Sequence, residues 1–233
     1  MPRQNRVNPF GELFATEALG TLMGNRGCLH DRDGNIRRSF ACRRWIYCLL
    51  EFRGRHRTVM APGRYTELFF LDEATALAAG HRPCAECQHA RYRLFRENWT
   101  AANRHLVSTT SPTADEIDHV LHAERIDRAH RKLTYTAALA DLPSGVMVAG
   151  GDGSPYLVLG GRLLRWEPNG YRATVSEPRD GALQVLTPKS IVRAILHGFV
   201  VTLLPSAKTP SHEDLPGFLR GFDGDSGGSE LQP

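Results

Sequence analysis

Two cysteines separated by two residues constrain this chain more than any other feature of its sequence. Cys84 and Cys87 directly follow a Gly-His-Arg-Pro segment at positions 80–83. A Cys-x2-Cys pair can direct both thiolates at one metal ion. At the start of a helix, free backbone N–H groups stabilise the thiolates further. The spacing therefore predicts that the chain folds around a metal ion.

The segment around these cysteines resembles the metal-binding domain at the N-terminus of the bacterial Ada DNA-repair protein and its relatives. The shared pattern runs from Phe69 through a short helix and Ala-Leu-Ala-Ala-Gly at 76–80 to Arg-Pro-Cys-x2-Cys, which ends at Cys87. The resemblance implies that Cys84 and Cys87 form the second ligand pair of a structural zinc site. It also implies an upstream Cys-x3-Cys pair, which this sequence lacks.

The missing ligands are expected among the cysteines at 28, 42 and 48. Cys42 and Cys48 cannot both bind one ion if they lie in one extended strand, because six residues of strand span about 20 Å. Cys48 has the position more similar to the Ada pattern. The fourth ligand is expected to be Cys28, with His30 as the alternative. His56 and His81 are further options. Four protein ligands leave no open coordination position, so Zn²⁺ is expected to be a structural cofactor.

Positive charge is concentrated in the half of the chain that carries the cysteines. Residues 1–106 contain 17 arginines and 10 acidic residues, whereas the net charge of the whole chain is +4. Guanidinium groups bind phosphate bidentately, so this half favours nucleic acid as the partner, and the resemblance to the Ada domain implies DNA. A solvated face without a function is the alternative. The candidate phosphate contacts are Arg43, Arg44, Arg53, Arg55, Arg57, Arg91, Arg93 and Arg96.

A second group of polar residues lies on a helix predicted from Thr113 to Ala138. Asp118 and His122 are four residues apart and share a face, so with Glu124 they are candidates for general acid–base catalysis. Many such groups are only solvated helix faces. The sequence contains no P-loop, dinucleotide fingerprint or nucleophile elbow, and it does not decide whether the protein is an enzyme.

The order of predicted elements indicates an α+β protein. Residues 1–107 are expected to form a zinc-stabilised α/β module, including a helix from about Cys84 to Trp99. Residues 108–205 are expected to form a helix and a small antiparallel β-meander. Residues 206–233, rich in Gly, Ser, Asp and Pro, are expected to be a disordered tail.

These features lead to three functional hypotheses. The first is a zinc-stabilised DNA-binding protein that acts in DNA repair or defence. The second is a nucleic-acid-processing enzyme such as a nuclease or glycosylase, and the third is a protein-interaction scaffold. No apolar run is long enough to span a membrane and no secretory signal begins the chain, so a cytoplasmic protein is expected. The sequence makes no prediction of the oligomeric state.

Overall fold

The computed structural model describes residues 1–55, 58–173 and 182–208. Within these residues the chain forms two six-stranded sheets and five α-helices, so the prediction of a mixed α+β fold is confirmed. Most of the tail predicted at 206–233 lies outside the described residues. No helix in the described part of the chain has both the length and the apolar composition needed to cross a membrane.

The first sheet belongs to the half that carries the cysteines. Its strands are β1 (Arg6–Val7), β2 (Leu13–Phe14), β3 (Leu22–Asn25), β4 (Ile46–Cys48), β5 (Leu68–Phe70) and β6 (Arg82–Pro83), in the order β2-β1-β5-β3-β4-β6. Strands β4 and β6 are parallel, with Tyr47 opposite Pro83. Cys48 is the last residue of β4 and Cys84 directly follows β6, so the pairing brings the two cysteines close together.

The second sheet is antiparallel throughout its described pairs. Its strands are β7 (Tyr135–Ala138), β8 (Met147–Ala149), β9 (Pro155–Leu159), β10 (Arg162–Glu167), β11 (Gly170–Ala173) and β12 (Ala182–Val185). They lie in the order β11-β10-β9-β8-β12-β7. Gly160 and Gly161 connect β9 to β10 and both have positive φ, at 57° and 75°. A two-residue hairpin turn of the primed type requires this conformation, which glycine adopts without strain.

The described residues also form five α-helices: α1 (Glu73–Ala78), α2 (His89–Ala102), α3 (Ala114–Arg125), α4 (Lys189–Leu196) and α5 (Pro205–Lys208). Helix α1 is buried along its whole length, and Asp72 caps its N-terminus, because the Asp72 side chain accepts a hydrogen bond from the Thr75 N–H. Helix α2 packs against α4, and α1 contacts both β5 and β8. The short helix α1 therefore lies where the two sheets meet.

A single cluster of buried side chains extends through both halves of the chain. It includes Phe70 and Trp99 from the first half and Leu157 from the second. Two buried hydrogen bonds reinforce the contact around α1. The Trp166 indole N–H donates to Thr75 Oγ1 at 3.0 Å, and the Tyr171 hydroxyl donates to the Asp72 carboxylate at 2.9 Å. The second sheet thus anchors the helix that precedes the Cys-x2-Cys segment.

Helix α2 begins at His89, and the prediction that it begins near Cys84 was wrong. The Cys84 N–H donates to the Tyr47 carbonyl at 2.9 Å, which continues the β4–β6 ladder. Residues 85–88 then form a turn, in which the Gln88 N–H donates to the Cys84 carbonyl at 3.2 Å. The cysteines therefore lie in a strand end and a turn, just before the helix.

Helix α3 ends at Arg125, so the prediction that it continues to Ala138 was wrong. The Asp127 side chain accepts hydrogen bonds from the backbone N–H groups of Ala129 and Arg131, at 2.8 and 2.9 Å. Such local acceptors compete with helical hydrogen bonds and favour a turn. The remaining residues of the predicted helix include strand β7.

Candidate metal centre

Three cysteines lie together where β4, β6 and the turn before α2 meet. The Sγ atoms of Cys48, Cys84 and Cys87 all lie within 4.8 Å of one another. Zinc–sulfur bonds of about 2.3 Å in a tetrahedral arrangement place sulfur atoms roughly 3.8 Å apart, a separation compatible with this group. Cys48 and Cys84 are only 6% and 7% exposed. These three residues could bind a metal ion.

Hydrogen bonds among the thiols separate their pKa values. The bond from Cys48 is the main cause that lowers the pKa of Cys84 to about 5, with help from the Cys87 and Glu86 N–H groups. The same bond raises the pKa of Cys48, and burial raises that of Cys87. Cys84 is therefore the first sulfur to become a thiolate. A bound cation would displace the protons of the other two, because metals bind thiolates.

An apolar shell surrounds the three sulfur atoms. Met23 lies opposite Cys48 in the β3–β4 ladder and is itself buried. Ile46 and Phe69 pack against the same group. Such a shell limits the access of water and strengthens electrostatic interactions with a bound ion.

The other predicted ligands are not part of this three-cysteine group. Cys28 Sγ lies 3.7 Å from the His30 carbonyl oxygen. The His30 ring already contacts Thr66 Oγ1 at 2.6 Å and the Ala61 carbonyl at 3.3 Å, so both of its nitrogens have protein partners. Cys42, which the strand distance predicts not to be a ligand beside Cys48, is also outside the group, and its Sγ donates to the Arg44 carbonyl at 3.4 Å.

Two histidines were further options for the fourth ligand. His81 is completely buried, and its Nε2 atom accepts a hydrogen bond from Arg26 Nε at 3.2 Å. His56 lies outside the described residues. The structure therefore groups three of the predicted ligands and adds no fourth from the described part of the chain.

Several of the predicted phosphate-contacting arginines have acidic partners. Arg91 donates to both carboxylate oxygens of the buried Glu73, at 2.8 and 2.5 Å. Arg55 pairs with Glu86 at 2.5 Å, and the exposed Arg93 lies 3.7 Å from Glu97. Of these three arginines, Arg91 is the one whose ion pair is largely buried. Because its guanidinium is already held by Glu73, Arg91 is a poor candidate for phosphate binding.

The other predicted arginines differ in exposure and contacts. Arg43 and Arg44 are exposed, and Arg43 Nη1 lies 3.4 Å from His119 Nδ1. Arg53 is exposed, and its guanidinium carbon lies 5.0 Å from the centroid of the Phe52 ring. Arg96 is half-buried on α2. Within the described residues none of these four forms an ion pair with a carboxylate. Arg57 lies outside the described residues.

The structure gives each proposed acid–base residue a separate contact. Asp118 is 2% exposed and accepts two hydrogen bonds from Arg82, at 2.8 and 2.7 Å. Glu124 accepts from the N–H and hydroxyl of Ser190 near the start of α4, at 3.0 and 2.6 Å. His122 Nδ1 lies 3.0 Å from Arg125 Nη2. The contacts of Asp118 and Glu124 hold α3 against β6 and α4, and both carboxylates already have hydrogen-bond partners.

A cavity of about 490 Å³ was not indicated by the sequence pattern. Arg26, Arg125 and Lys132 line it together with Trp45. These residues lie far apart in the chain and share no spacing, so no local motif could have revealed the cavity. The Gly-His-Arg-Pro segment is the sequence motif that lies nearest to the cavity, because its His81 contacts Arg26.

Comparisons with protein-family models, with curated proteins and with solved structures found no match for this chain. Its function is therefore inferred from its own residues.

Proposed function

We propose that this protein is a DNA-binding protein whose fold is stabilised by one zinc ion. The observation that carries the proposal is the group of three cysteine sulfurs within 4.8 Å of one another, flanked by segments that expose arginines. Sulfur-rich tetrahedral sites favour zinc over harder ions such as magnesium and calcium. The resemblance of residues 69–87 to the Ada metal-binding domain also supports zinc, and it supports a role in DNA repair or defence.

Zinc at this position would connect three elements of the chain. Cys48 ends β4, and Cys84 follows β6. One residue separates Cys87 from the start of α2. Because the unfolded chain has no preformed site, the free energy of metal binding becomes free energy of folding. The fourth ligand would come from Cys28, His30 or His56. The first two require a rearrangement of their present contacts.

The proposed DNA contacts lie on the two segments that leave the metal centre. Arg53 follows Cys48 in an exposed turn, and Arg93 and Arg96 lie on α2 shortly after Cys87. Guanidinium groups on a fixed backbone bind phosphate with less loss of conformational entropy. We infer that zinc fixes these segments and that Arg53, Arg93 and Arg96 contact the DNA backbone.

The proposal predicts salt-sensitive binding to duplex DNA of unrelated sequence. Simultaneous Arg53→Glu, Arg93→Glu and Arg96→Glu changes should weaken binding to every sequence by a similar factor. They should reduce the slope of log affinity against log salt by about 0.9 for each lost contact. Fluorescence anisotropy with two duplexes over a salt series measures both effects.

Arg162→Glu is the matched control, because Arg162 is an exposed arginine on β10 of the second sheet. It should leave the salt slope unchanged. If it weakens binding as much per charge as the triple change, the proposed surface is wrong. If the wild-type protein fails to bind DNA even at low salt, the DNA-binding proposal falls and the scaffold hypothesis takes its place.

A further inference from the structure

The cavity of about 490 Å³ contains an unusual concentration of positive charge. Arg26 and Arg125 line it, each only 1% exposed, and Lys132 lines it as well. The guanidinium carbons of both arginines lie 4.0 Å from the centroid of the Trp45 ring. Apolar side chains form another part of the wall: Phe10, Leu13 and Ile36.

These cations have no acidic partner within the described residues. None of the three takes part in an ion pair there. Asp118, whose charge acts on Arg125, is already paired with Arg82. Glu12, the acidic residue that lines the cavity, accepts a hydrogen bond from Asn8 at 2.9 Å. Burial of a charge without a counter-charge costs several kcal/mol, and stacking on an aromatic ring recovers roughly 2 kcal/mol.

Burial and mutual repulsion affect the protonation of the group. Burial lowers the pKa of Arg26 to about 9 and that of Lys132 to about 7, and the positive charge of Arg125 acts in the same direction on both. Burial also lowers the pKa of Arg125 to about 9. A bound anion would relieve this repulsion.

Neutral groups hold the two guanidinium groups in place. Arg26 donates to His81 Nε2 at 3.2 Å and to the Gly11 carbonyl at 2.8 Å. Arg125 donates to the Gly80 carbonyl at 2.9 Å and to the Arg43 carbonyl at 2.5 Å. These acceptors fix the orientation of the guanidinium groups but supply no net negative charge.

Hydrogen-bonding capacity remains on both arginines. Arg26 Nη2 and Arg125 Nε are buried and have no hydrogen-bond partner. Gly11 lies beside the first of these atoms, since a Cβ added there would be 3.5 Å from Arg26 Nη2. Buried donors without a partner are rare in folded proteins and call for a ligand or an ordered water.

We propose that this cavity binds a small organic phosphate. The phosphate group would accept hydrogen bonds from Arg26, Arg125 and Lys132, and the organic part would contact the apolar wall. Three cations match a phosphate monoester, with its charge of about −1.5 to −2 at neutral pH, better than a carboxylate. The cavity volume lies within the range of roughly 300–1,000 Å³ that is typical of small-ligand sites. This proposal does not depend on DNA binding.

Thermal unfolding of the full chain at constant ionic strength tests the proposal. Ribose 5-phosphate should raise Tm with increasing concentration, because a ligand that binds the folded state stabilises it in proportion to RT ln(1 + [L]/Kd). Orthophosphate should act more weakly, and acetate and chloride should have no effect. Equal binding of orthophosphate and ribose 5-phosphate would overturn the organic part of the proposal and assign the site to free phosphate.

Lys132→Gln is the informative variant, since part of the Lys132 side chain is exposed and Gln keeps a side-chain N–H donor for the Ala78 carbonyl that the Lys132 ammonium contacts, so the variant should stay folded. Affinity for ribose 5-phosphate, measured by calorimetry, should fall about tenfold or more, as expected for one charged hydrogen bond. Lys189→Gln, an exposed lysine on α4, is the control and should bind normally. Equal affinities of the two variants for ribose 5-phosphate, or equal Tm values in ribose 5-phosphate and in chloride, would show that the cations are structural and overturn the proposal.

Discussion

At the scale of single residues, the Gly-His-Arg-Pro segment connects the three-cysteine group to the rest of the molecule. A Cβ at Gly80 would lie 2.6 Å from the Arg125 side chain, so no larger residue fits there. His81 orients Arg26, and Arg82 forms the buried pair with Asp118. The Cys-x2-Cys spacing could be identified from the sequence because it is local. The partners of His81 and Arg82 could not, because they lie far away in the chain.

The Arg82–Asp118 pair predicts a large effect of a conservative change. Arg82→Gln leaves the buried Asp118 carboxylate without its paired cation, and it should lower the free energy of unfolding by about 3–5 kcal/mol in urea denaturation. Arg93→Gln removes an exposed pair of the same type and should cost about 0–1 kcal/mol. Similar losses in the two variants would show that burial of the Arg82 pair is energetically unimportant.

His122 predicts a pH dependence of stability. Burial, with the charge of Arg125 as a further cause, lowers its pKa to about 4 from an ordinary value of 6.5. Between these values the unfolded chain binds a proton that the folded protein does not, so this residue reduces the free energy of unfolding as pH falls from 6.5 to 4. An NMR titration of the His122 ring should show a midpoint near 4. A midpoint near 6.5 would contradict the described environment.

At the scale of elements, the sequence predicts those features that residues close together in the chain determine. Thr113 and Glu116 are spaced as a capping box requires, a pattern visible in the sequence alone, and this capping box is present at the start of α3. The position where α2 starts was missed because Cys84 is held extended by its hydrogen bond to Tyr47, which belongs to another element. The position of β12 between β8 and β7 in the second sheet likewise depends on pairing between distant segments. The sequence carries no local signal for that pairing.

The capping box gives a prediction at this scale. Thr113→Ala removes the side chain that accepts from the Glu116 N–H at 3.2 Å, and it should reduce the free energy of unfolding by about 1 kcal/mol. Thr110→Ala changes an exposed threonine that precedes the helix and should be close to neutral. Equal midpoints of urea unfolding for the two variants would exclude a contribution of the cap to stability.

At the scale of the whole molecule, the two halves of the chain share one core. The sequence predicts a division between residues 107 and 108, where the polar residues Ser-Thr-Thr-Ser begin, but composition carries no information on side-chain packing between the two parts. Trp166 and Tyr171 of the second sheet bond to Thr75 and Asp72 around α1, and so support the segment that leads to Cys84. The basic cavity also draws on distant segments, which explains why only the charge excess of the first half was apparent beforehand.

The proposed zinc centre is tested most directly by X-ray absorption at the zinc edge on the full chain, purified without added metal. We expect about one zinc ion per chain with at least three sulfur neighbours at about 2.3 Å. Cys84→Ser should lose the ion or fail to fold, whereas Cys42→Ser should keep it, because Cys42 is not part of the three-cysteine group. A folded wild-type protein without metal, or a zinc ion bound only by nitrogen and oxygen, would contradict the proposed centre.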